Sequence, residues 1–354
     1  MDAGFRGFPV TGRGRRRVHN LLRGELGDRA GTAGAWLGIL RRQIQASSAK
    51  SSVEIEGFRV PDEETLAAAP DPTDHDRMAL SCYIHAMDHV GVMAGDPAFR
   101  WLDRVILDLH FDACSFQRDS DPCRYRRDGV QVTSPGGGPP AYVGPSQEAV
   151  PALMDEVVDW LGQHDTAAHV VVRAAMAHLH LVSVHPFGDG NGRISRIVQS
   201  LVLARDGLLA PELGSIEEYL DRNTGAYYAT LQDVQGGSYR PERDASPWVE
   251  FCVRAHIDQA TRRLAQIAEA GARWSRLEDL VERHGWPDRL VIALEQSLFG
   301  SVDRASYAAE AGVSAPTASN DIRRLLDAGL VVRRGRGRTT RYVASESLRE
   351  DASR

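Results

Sequence analysis

The chain has 354 residues, which is too long for one ordinary domain and about right for two or three. Its 42 basic and 48 acidic side chains give a net charge of -6 with histidine neutral, which excludes a whole-chain cationic coat as a means of holding nucleic acid. Charged residues at 25% and hydrophobic residues at 42% are typical of a globular protein and not of a disordered one.

Neither a membrane span nor a secretory signal is expected. No apolar run reaches the roughly 18 residues that a spanning helix needs, and residues 18–29, after the arginine-rich start, lack the apolar core of a signal peptide. The four cysteines, Cys82, Cys114, Cys123 and Cys252, are scattered and form no Cys-x-x-Cys pair. They indicate reduced thiols, and we predict a cytoplasmic protein without a membrane partner.

Apolar periodicity predicts a mostly helical body with no internal repeat. The predicted helices cover 36–46, 63–69, 78–93, 98–110, 148–162, 167–184, 191–205, 215–235 and 247–277, the eighth starting with a capping box of Ser215 and Glu218. Two short extended runs flank a Gly/Pro tip at 135–140 and predict a hairpin or flap. The predicted domains are a mobile arm at 1–34, a helical region at 35–95, a core at 96–280, a small domain at 287–345 and a tail at 346–354.

Lys50 is the only lysine in the chain, which disfavours several kinds of nucleotide site. A Walker-type P-loop needs glycines where Ile44 and Ala49 stand. A protein-kinase lysine needs a strand setting, whereas Lys50 lies in a serine-rich stretch. Any nucleotide is therefore expected to be held by arginines and backbone amides.

The turn from His185 to Gly192 is suited to bind phosphate. Gly190 and Gly192 permit positive φ and a close approach of backbone to ligand. Successive amides in such a turn form an anion-binding nest, and the helix that follows directs its N-terminus at the same place. Arg193 and Arg196 lie on one face of that helix and can grip phosphate oxygens.

The same turn carries candidates for acid–base chemistry. His185 titrates near neutrality and can take a proton from an incoming hydroxyl. Asp189 places one carboxylate beside the nest, where Mg²⁺ could bridge it to phosphates. Phe187 is expected to pack inward and anchor the loop. The turn contains no Ser, Cys or Thr, so we expect transfer from a nucleotide to an outside hydroxyl without a covalent enzyme intermediate.

The segment His185–Arg196 resembles the Fic motif, His-x-Phe-x-Asp/Glu-Gly-Asn-Gly-Arg-x-x-Arg, and fills every fixed position. Residues 139–143 resemble the family's flap, and Arg222-Asn223 followed by Tyr227-Tyr228 resembles its adenine-side helix. The resemblance covers roughly residues 35–270. It implies a mainly α fold: a Fic-type helical core with a β-hairpin flap.

The resemblance also implies a reaction, the transfer of AMP from ATP to a Ser, Thr or Tyr hydroxyl of a target protein. His185 would be the general base and Asp189 the Mg²⁺ ligand. The implied nucleotide-binding residues are Gly190, Asn191, Gly192, Arg193 (β phosphate), Arg196 (γ phosphate), Tyr227, Tyr228 and Gln235. Ala141, Tyr142 and Val143 would dock the target by strand pairing. Tyrosines at helical spacing equally fit core positions, so two of these assignments have an alternative.

Ser52, Glu56 and Gly57 fit the family's inhibitory pattern, Ser/Thr-x-x-x-Glu-Gly/Asn, N-terminal to the motif. A glutamate at Arg196 offers the charge and bidentate shape of a γ phosphate, which predicts autoinhibition. A charged loop with solvated glutamates is the alternative. In some relatives the same glutamate supports removal of AMP, and the sequence does not distinguish the two roles.

His178 and His180 suggest a zinc site as one hypothesis, but residues two apart face different sides of a helix.

Residues 288–345 resemble a winged helix-turn-helix: three helical patterns, then strands around an arginine-rich turn. The third helix would expose Thr317, Ser319, Asn320 and Arg323, and the turn would add Arg336 and Arg338. DNA binding is one expectation, and docking or homodimer formation is the other. For the whole chain, an ATP-sensing transcriptional regulator is the alternative class, and UMP transfer or phosphorylation are lesser options within the enzyme class.

Overall fold

The structure is a computed structural model that describes residues 36–60, 73–133, 139–163, 168–207, 211–337 and 340–353. The predicted arm 1–34, the predicted helix 63–69 and the glycine tip 135–138 lie outside these residues. The described part is mainly helical with two small antiparallel sheets, which confirms the predicted fold class. It divides into two compact units, the first being Gln43–Arg263 and the second joining residues up to Arg42 with Leu264–Arg354.

The helices of the first unit follow one another through most of its length. In chain order they are α1 (Trp36–Ile55), α2 (His75–Gly95), α3 (Asp103–Cys114), α4 (Val150–Gly162), α5 (Val170–Val184), α6 (Asn191–Arg205), α7 (Pro211–Gly214), α8 (Glu217–Arg222), α9 (Thr224–Gln235) and α10 (Ser246–Arg283), of which α1 and α10 continue into the second unit. Between Asn191 and Ala204, α6 is buried at every residue except Gly192, and α2, α3 and α5 pack on it. A helix covered on all sides is the centre of its domain. The side chains of α2, α3 and α5 that contact one another around the site therefore do so through their packing on α6.

Helix α1 is longer than predicted, because it continues through the serine-rich segment to Ile55. Serine is a weak helix former, but these hydroxyls have partners in the tertiary structure. Ser51 Oγ donates to Asp221 at 3.2 Å, and Ser48 Oγ accepts from Ser215 at 2.9 Å. Tertiary contacts therefore outweigh local propensity in this segment.

The predicted helix 215–235 is two helices, α8 and α9, interrupted at Asn223, where φ is -124°. The predicted capping box is wrong. Ser215 donates to Ser48, and the carboxylate of Glu218 accepts from both terminal nitrogens of Arg263 at 3.0 and 3.2 Å. Arg263 is fully buried and needs an anionic partner, which takes Glu218 away from the helix terminus.

The predicted hairpin is present as β1 (Gln131–Val132) and β2 (Tyr142–Val143), paired antiparallel. Strands this short are marginal in water without further contacts. One such contact is the amide of Val143, which donates to the carbonyl of Gly237 at 3.0 Å. The position of the flap is therefore set by what it touches outside itself.

The second unit contains three short helices, a two-stranded sheet and a terminal helix. They are α11 (Leu290–Leu298), α12 (Arg304–Glu310), α13 (Ala315–Asp327), β3 (Val331–Arg334), β4 (Arg341–Ala344) and α14 (Glu346–Ser353). Their core includes Leu277 and Val281 of α10, so this unit begins before the boundary predicted near residue 287. The predicted tail 346–354 is largely helical, because Leu348 and Ala352 are buried in the same core.

Of the helices described, none combines the length and the apolar character that crossing a bilayer requires.

Four histidines of the first unit are held neutral by burial, which disfavours the charged imidazolium. Burial lowers the pKa of His110 and His180 to about 4, and that of His178 and His256 to about 3. The unfolded chain takes up protons near pH 6.5 while the folded chain does not, so acid favours unfolding.

We therefore predict that the free energy of unfolding falls as the pH drops from about 6.5 to 5, by about 1.4 kcal/mol per pH unit for each such histidine. Urea titrations at several pH values measure this slope. His178→Gln removes the titrating imidazole and keeps a polar side chain, and the slope should decrease by the share of one histidine. An unchanged slope in the variant contradicts the assignment of His178.

Candidate active site

The turn between α5 and α6 has an unusual backbone at both ends. His185 caps α5 in the left-handed region with φ 51°, and Gly190 precedes α6 with φ 79°. A non-glycine residue with positive φ is uncommon and costs about 1 kcal/mol or more. Pro186 follows His185 and prevents the helix from continuing. The turn thus directs residues 185–190 across the N-terminus of α6.

The imidazole of His185 is oriented by its own helix. Its Nδ1 donates to the carbonyl of Val182 at 3.1 Å, which leaves the Nε2 lone pair for another proton. Burial is the main cause that lowers the pKa of His185, and the charge of Arg126 acts in the same direction. The side chain is therefore a neutral acceptor at neutral pH.

Asn191 and Phe187 hold the loop in shape. The side-chain amide of Asn191 accepts from the Phe187 amide and donates to the Phe187 carbonyl, both at 2.9 Å. Phe187 is fully buried, which confirms that it packs inward. The Asn191 side chain thus closes the turn, and only its backbone remains for the predicted anion nest.

His110 of α3 is a loop-supporting residue that the sequence did not reveal. Its ring stacks on Phe187 with a centroid separation of 3.7 Å. Its Nε2 donates to the carbonyl of Asp189 at 3.0 Å, and its Nδ1 accepts from the amide of Cys123 at 3.0 Å. These bonds require the neutral imidazole, in agreement with the pKa lowered by burial. A histidine in an amphipathic helix carries no sequence signal for this role.

Arg193 is almost fully buried and lies in a polar and aromatic cage. Its Nη2 donates to Gln117 Oε1 at 2.7 Å and to Asp189 Oδ2 at 3.1 Å. The guanidinium carbon lies 5.4 Å from the ring centroid of Phe58 and 5.7 Å from that of Phe116, within cation–π range. Gln117 also donates to Asp189 at 2.6 Å, and sequence reasoning missed this residue as well.

Arg196 is bound by the end of α1. Its Nη2 donates to Glu56 Oε1 at 2.7 Å and to the carbonyl of Ser52 at 3.0 Å, while its Nε donates to Ser52 Oγ at 2.7 Å. The Glu56 carboxylate lies against Gly192, where a Cβ atom would overlap it. The structure thus brings Ser52 and Glu56 to Arg196, although through one carboxylate oxygen and not in the bidentate form expected. Gly57 follows with φ 94°.

Two nitrogens of these buried guanidiniums, Nε of Arg193 and Nη1 of Arg196, have no hydrogen-bond partner among the described residues. Buried donors without partners are rare in proteins, so they indicate a place for anionic oxygens. Asp189 is the carboxylate beside Arg193, with 42% of its side chain exposed. No group of three or more His, Cys, Asp or Glu side chains in the described part is placed to hold a metal ion on its own.

The predicted adenine-side residues differ in burial and in surroundings. Tyr227 is buried, and its hydroxyl lies 3.1 Å from Nε2 of His178, whereas Tyr228 remains 45% exposed. Gln235 lines a cavity of about 260 Å³ together with Tyr142 and Ser183. Of the three, Tyr227 therefore occupies a core position.

The flap residues face different surroundings. Tyr142 is buried and its hydroxyl donates to the carbonyl of Ser183 at 2.5 Å, while Val143 is 40% exposed. Ala141 is partly buried and pairs through its amide with Val132 at 2.8 Å. Val143 is thus the flap residue that a docked chain can reach most easily.

The residues predicted to contact DNA all belong to the second unit. Asn320, Arg323 and Arg336 are exposed, and Thr317 and Ser319 are partly buried. Thr317 lies in the first turn of α13, where its amide donates to the cap residue Ser314. Arg338 lies outside the described residues.

Comparison with known proteins gives one family-model match and several structures of similar fold. Residues 101–203 match the model of the Fic/DOC family, so the chain contains a Fic/DOC family domain. In fold, the structure resembles a Fic family protein from Desulfovibrio desulfuricans G20, with a TM-score of 0.57 at 20% identity over 93% of this chain and 96% of that chain. The structure of Fic-1 from Caenorhabditis elegans gives 0.55 at 22% identity over 72% and 71%.

Two curated relatives carry the name of an activity. The chain is 32% identical over 169 residues to Protein adenylyltransferase fic-1 of Caenorhabditis elegans, covering 44% of this chain and 30% of that protein. It is 31% identical over 168 residues to Protein adenylyltransferase Fic of Nematostella vectensis, covering 44% and 36%. The chain thus aligns with about a third of the length of these relatives.

The close packing around Gly190 predicts a specific sensitivity to substitution. A Cβ atom at Gly190 would overlap Sγ of Cys114, whereas at Gly207, where φ is 67°, nothing lies within 4 Å. Gly207→Ala therefore isolates the backbone cost, and Gly190→Ala adds the overlap. We expect Gly190→Ala to destabilise the protein by about 1–3 kcal/mol more than Gly207→Ala in urea unfolding. Equal effects contradict the described approach of α3 to the turn.

Proposed function

We propose that this chain is a protein adenylyltransferase that transfers AMP from ATP to a serine, threonine or tyrosine hydroxyl of a target protein. The observation that carries the proposal is the convergence at one helix N-terminus of a neutral imidazole, His185, and two buried guanidiniums with unpaired donors, Arg193 and Arg196. The names of the relatives support the same activity.

The proposed reaction uses groups that the loop already orients. The triphosphate binds at the N-terminus of α6, with its oxygens at the backbone of residues 190–192 and at the two arginines. The Nε2 atom of His185 takes the proton of the target hydroxyl as its oxygen bonds to the α phosphorus. The bond from that phosphorus to the oxygen bridging to the β phosphorus breaks, and pyrophosphate leaves. Buried cations stabilise the charge on the leaving group.

Asp189 is the residue suited to hold Mg²⁺, which is commonly bound by one or two carboxylates together with substrate phosphates. Its carboxylate is partly exposed and beside the arginines, and it retains acceptor capacity beyond its bonds to Gln117, Arg193 and the Gly190 amide. When bound, the ion would neutralise phosphate charge. The role of Asp189 in the protein itself is to accept from Arg193 and so keep that guanidinium in place.

We further propose that Glu56 inhibits transfer. Its carboxylate occupies the position at Arg196 and Gly192 that a terminal phosphate would need. ATP can then bind only with its phosphates displaced, and a misplacement of about 1 Å can lower a rate on the order of 100-fold. A target chain would add to the flap at the exposed edge near Val143.

Removing Glu56 should therefore raise transfer, and removing the base should abolish it. We expect Glu56→Gly to increase self-labelling or target labelling on the order of 100-fold with ATP and Mg²⁺, and His185→Ala to give none. Intact-mass analysis measures the product, and its mass shift distinguishes AMP transfer from UMP transfer or phosphorylation when each nucleotide is supplied. Incubating a labelled product with the wild-type chain tests removal of AMP by Glu56.

Glu54→Gln is the control, because it keeps the end of α1 helical and the Glu54 side chain is ion-paired to Lys50 at 3.8 Å and not to Arg193 or Arg196. It should leave transfer at the wild-type level. If Glu56→Gly and His185→Ala both behave as the wild type, the chain is not a transferase of this kind.

A second candidate function is DNA binding by the second unit, which we propose has a winged helix-turn-helix fold. The order α12, α13, β3, β4 supports it, since a helix pair followed by a hairpin is the arrangement of that motif. The segment 331–341 carries five arginines and no acidic residue, and Arg333, Arg334 and Arg336 are exposed. Such a cationic hairpin is complementary to a phosphate backbone.

This candidate predicts salt-dependent binding of the full chain to duplex DNA. In gel-shift titrations over a range of salt concentrations, Arg333→Gln with Arg336→Gln should weaken binding and make the salt dependence shallower by about 0.9 in slope for each phosphate that is no longer neutralised. Arg349→Gln on α14, which removes one positive charge outside the hairpin, is the control for each single substitution and should alter neither. Binding modulated by ATP without any labelling would favour an ATP-sensing regulator.

A further inference from the structure

Arg126 is a buried arginine whose guanidinium donates hydrogen bonds to backbone carbonyls. The residue is 9% exposed. Its Nε donates to the carbonyl of His185 at 2.8 Å, its Nη1 to that of Asp128 at 2.7 Å and its Nη2 to that of Pro145 at 2.6 Å. We call these three hydrogen bonds the Arg126 clamp.

The clamp joins two parts of the molecule that have separate roles in the proposed reaction. Asp128 lies just before β1 and Pro145 just after β2, so these two carbonyls are the two ends of the flap. The third carbonyl belongs to His185, the proposed base. The backbone amide of Arg126 adds a fourth bond, to the carbonyl of Pro186 at 2.9 Å. One side chain thus connects both ends of the flap to the residue that accepts the proton.

Besides the clamp, a few other contacts hold the flap, among them the bond from the Val143 amide to the Gly237 carbonyl. Each of its strands has two residues, and such a hairpin does not hold a position alone. The hydroxyl of Tyr142 reaches the carbonyl of Ser183 and so anchors the inner strand to α5. At the flap base, packing is tight, because a Cβ atom at Gly144 would meet the Val130 side chain. The clamp is the contact that reaches both ends at once.

His185 itself depends on the clamp for its conformation. Its φ of 51° is in the left-handed region, where a residue with a side chain is strained. The strain persists only where surrounding bonds determine the backbone, and the carbonyl of His185 has Arg126 as its described partner. Losing the clamp would free the His185 carbonyl and the flap together.

We propose that Arg126 is a positioning residue for transfer: it sets the flap, and hence the hydroxyl of a docked target, at a fixed distance from the imidazole of His185. This inference rests on the proposed function, because it gives the flap and His185 the roles of target dock and base. The hydrogen bonds of the Arg126 guanidinium go to backbone carbonyls. It acts through the backbone of the two segments it joins.

Arginine is required for this geometry because its donors are spread over a rigid plane. Three carbonyls on different sides are reached by three different nitrogens. A lysine ammonium offers three donors from one atom and cannot span the same positions, so Arg126→Lys should behave as a loss and not as a conservative change.

Hydrogen exchange of the full chain tests whether the clamp holds the flap. We expect Arg126→Gln and Arg126→Lys to exchange the amides of Ala141, Val143 and Gly144 at least about 10-fold faster, with the amides of α5 and α6 unchanged. Arg127→Gln is the matched control, because the neighbouring arginine is exposed, and it should leave flap exchange at the wild-type rate. Unchanged flap exchange in both Arg126 variants overturns the proposal.

Transfer is measured in the Glu56→Gly background, as self-labelling with ATP and Mg²⁺ together with calorimetric ATP affinity. Arg126→Gln should lower labelling per bound ATP about 100-fold and leave the affinity for ATP unchanged. In Arg126→Ala, millimolar guanidinium should restore part of the labelling, and equal sodium chloride should not. A parallel loss of ATP affinity and of α6 protection would assign Arg126 to general folding and overturn the proposal.

Failure of the proposed function gives a different experimental result from failure of the clamp. If Glu56→Gly with Arg126 intact gives no labelling, the transferase assignment and the role of Arg126 in transfer both fall. The exchange measurement still decides whether the clamp holds the flap, because it requires no activity.

Discussion

Two buried guanidiniums determine how the candidate site is built. Arg193 and Arg196 are each 1% exposed on the first turns of α6, the most enclosed helix of the first unit. A charge withdrawn from water needs anions or oriented dipoles beside it, or the fold loses several kcal/mol. Arg193 obtains them from Asp189 and Gln117, and Arg196 from Glu56 and Ser52. The unpaired nitrogens that remain have the chemistry of a phosphate site.

The loop in front of these arginines is fixed by groups that are not themselves reactive. His110 holds the loop by stacking on Phe187 and by donating to the Asp189 carbonyl. Its full set of hydrogen bonds requires a neutral imidazole. Asn191 closes the turn through both of its amide bonds to Phe187. A preorganised backbone is what lets amides stabilise charge without rearranging during a reaction.

Sequence reasoning found the loop because its residues are consecutive. His185, Asp189 and Arg196 lie within one turn and one helix start, so their proximity follows from local geometry. Gln117 and His110 lie 72 and 79 residues away in sequence from Asp189, which both of them contact, and only the packing of α3 on α6 brings them in. No periodicity or spacing encodes that contact.

The same distinction explains the errors in the helix predictions. The predicted helix stopped at residue 46, before the serine-rich end of α1, where Ser51 and Ser52 have partners more than 100 residues away. Ser215 and Glu218 have the spacing of a capping box, but the buried Arg263 takes the carboxylate. Local rules were overridden wherever a buried charge or hydroxyl needed a distant partner.

In the proposed mechanism, relief of inhibition requires only residues 56–57, which follow α1, to move. The helix is anchored upstream, where Ser48 and Ser51 contact Ser215 and Asp221. Beyond Ile55 the chain turns at Gly57, where φ is 94° and nothing lies within 4 Å of a Cβ position. Glu56 is bound to Arg196 through a single oxygen.

Arg196 would keep hydrogen-bond partners if Glu56 moved away. Its bonds to Ser52 Oγ and to the Ser52 carbonyl come from the helical part of α1 and need not break. A terminal phosphate therefore has to replace one carboxylate oxygen and supply a partner for the free Nη1 atom. Exchange of one anion for another at a buried cation avoids the cost of leaving that cation unpaired, which removal of the whole helix would incur. The physical requirement for switching is thus a rearrangement of residues 56–57, with α1 still docked.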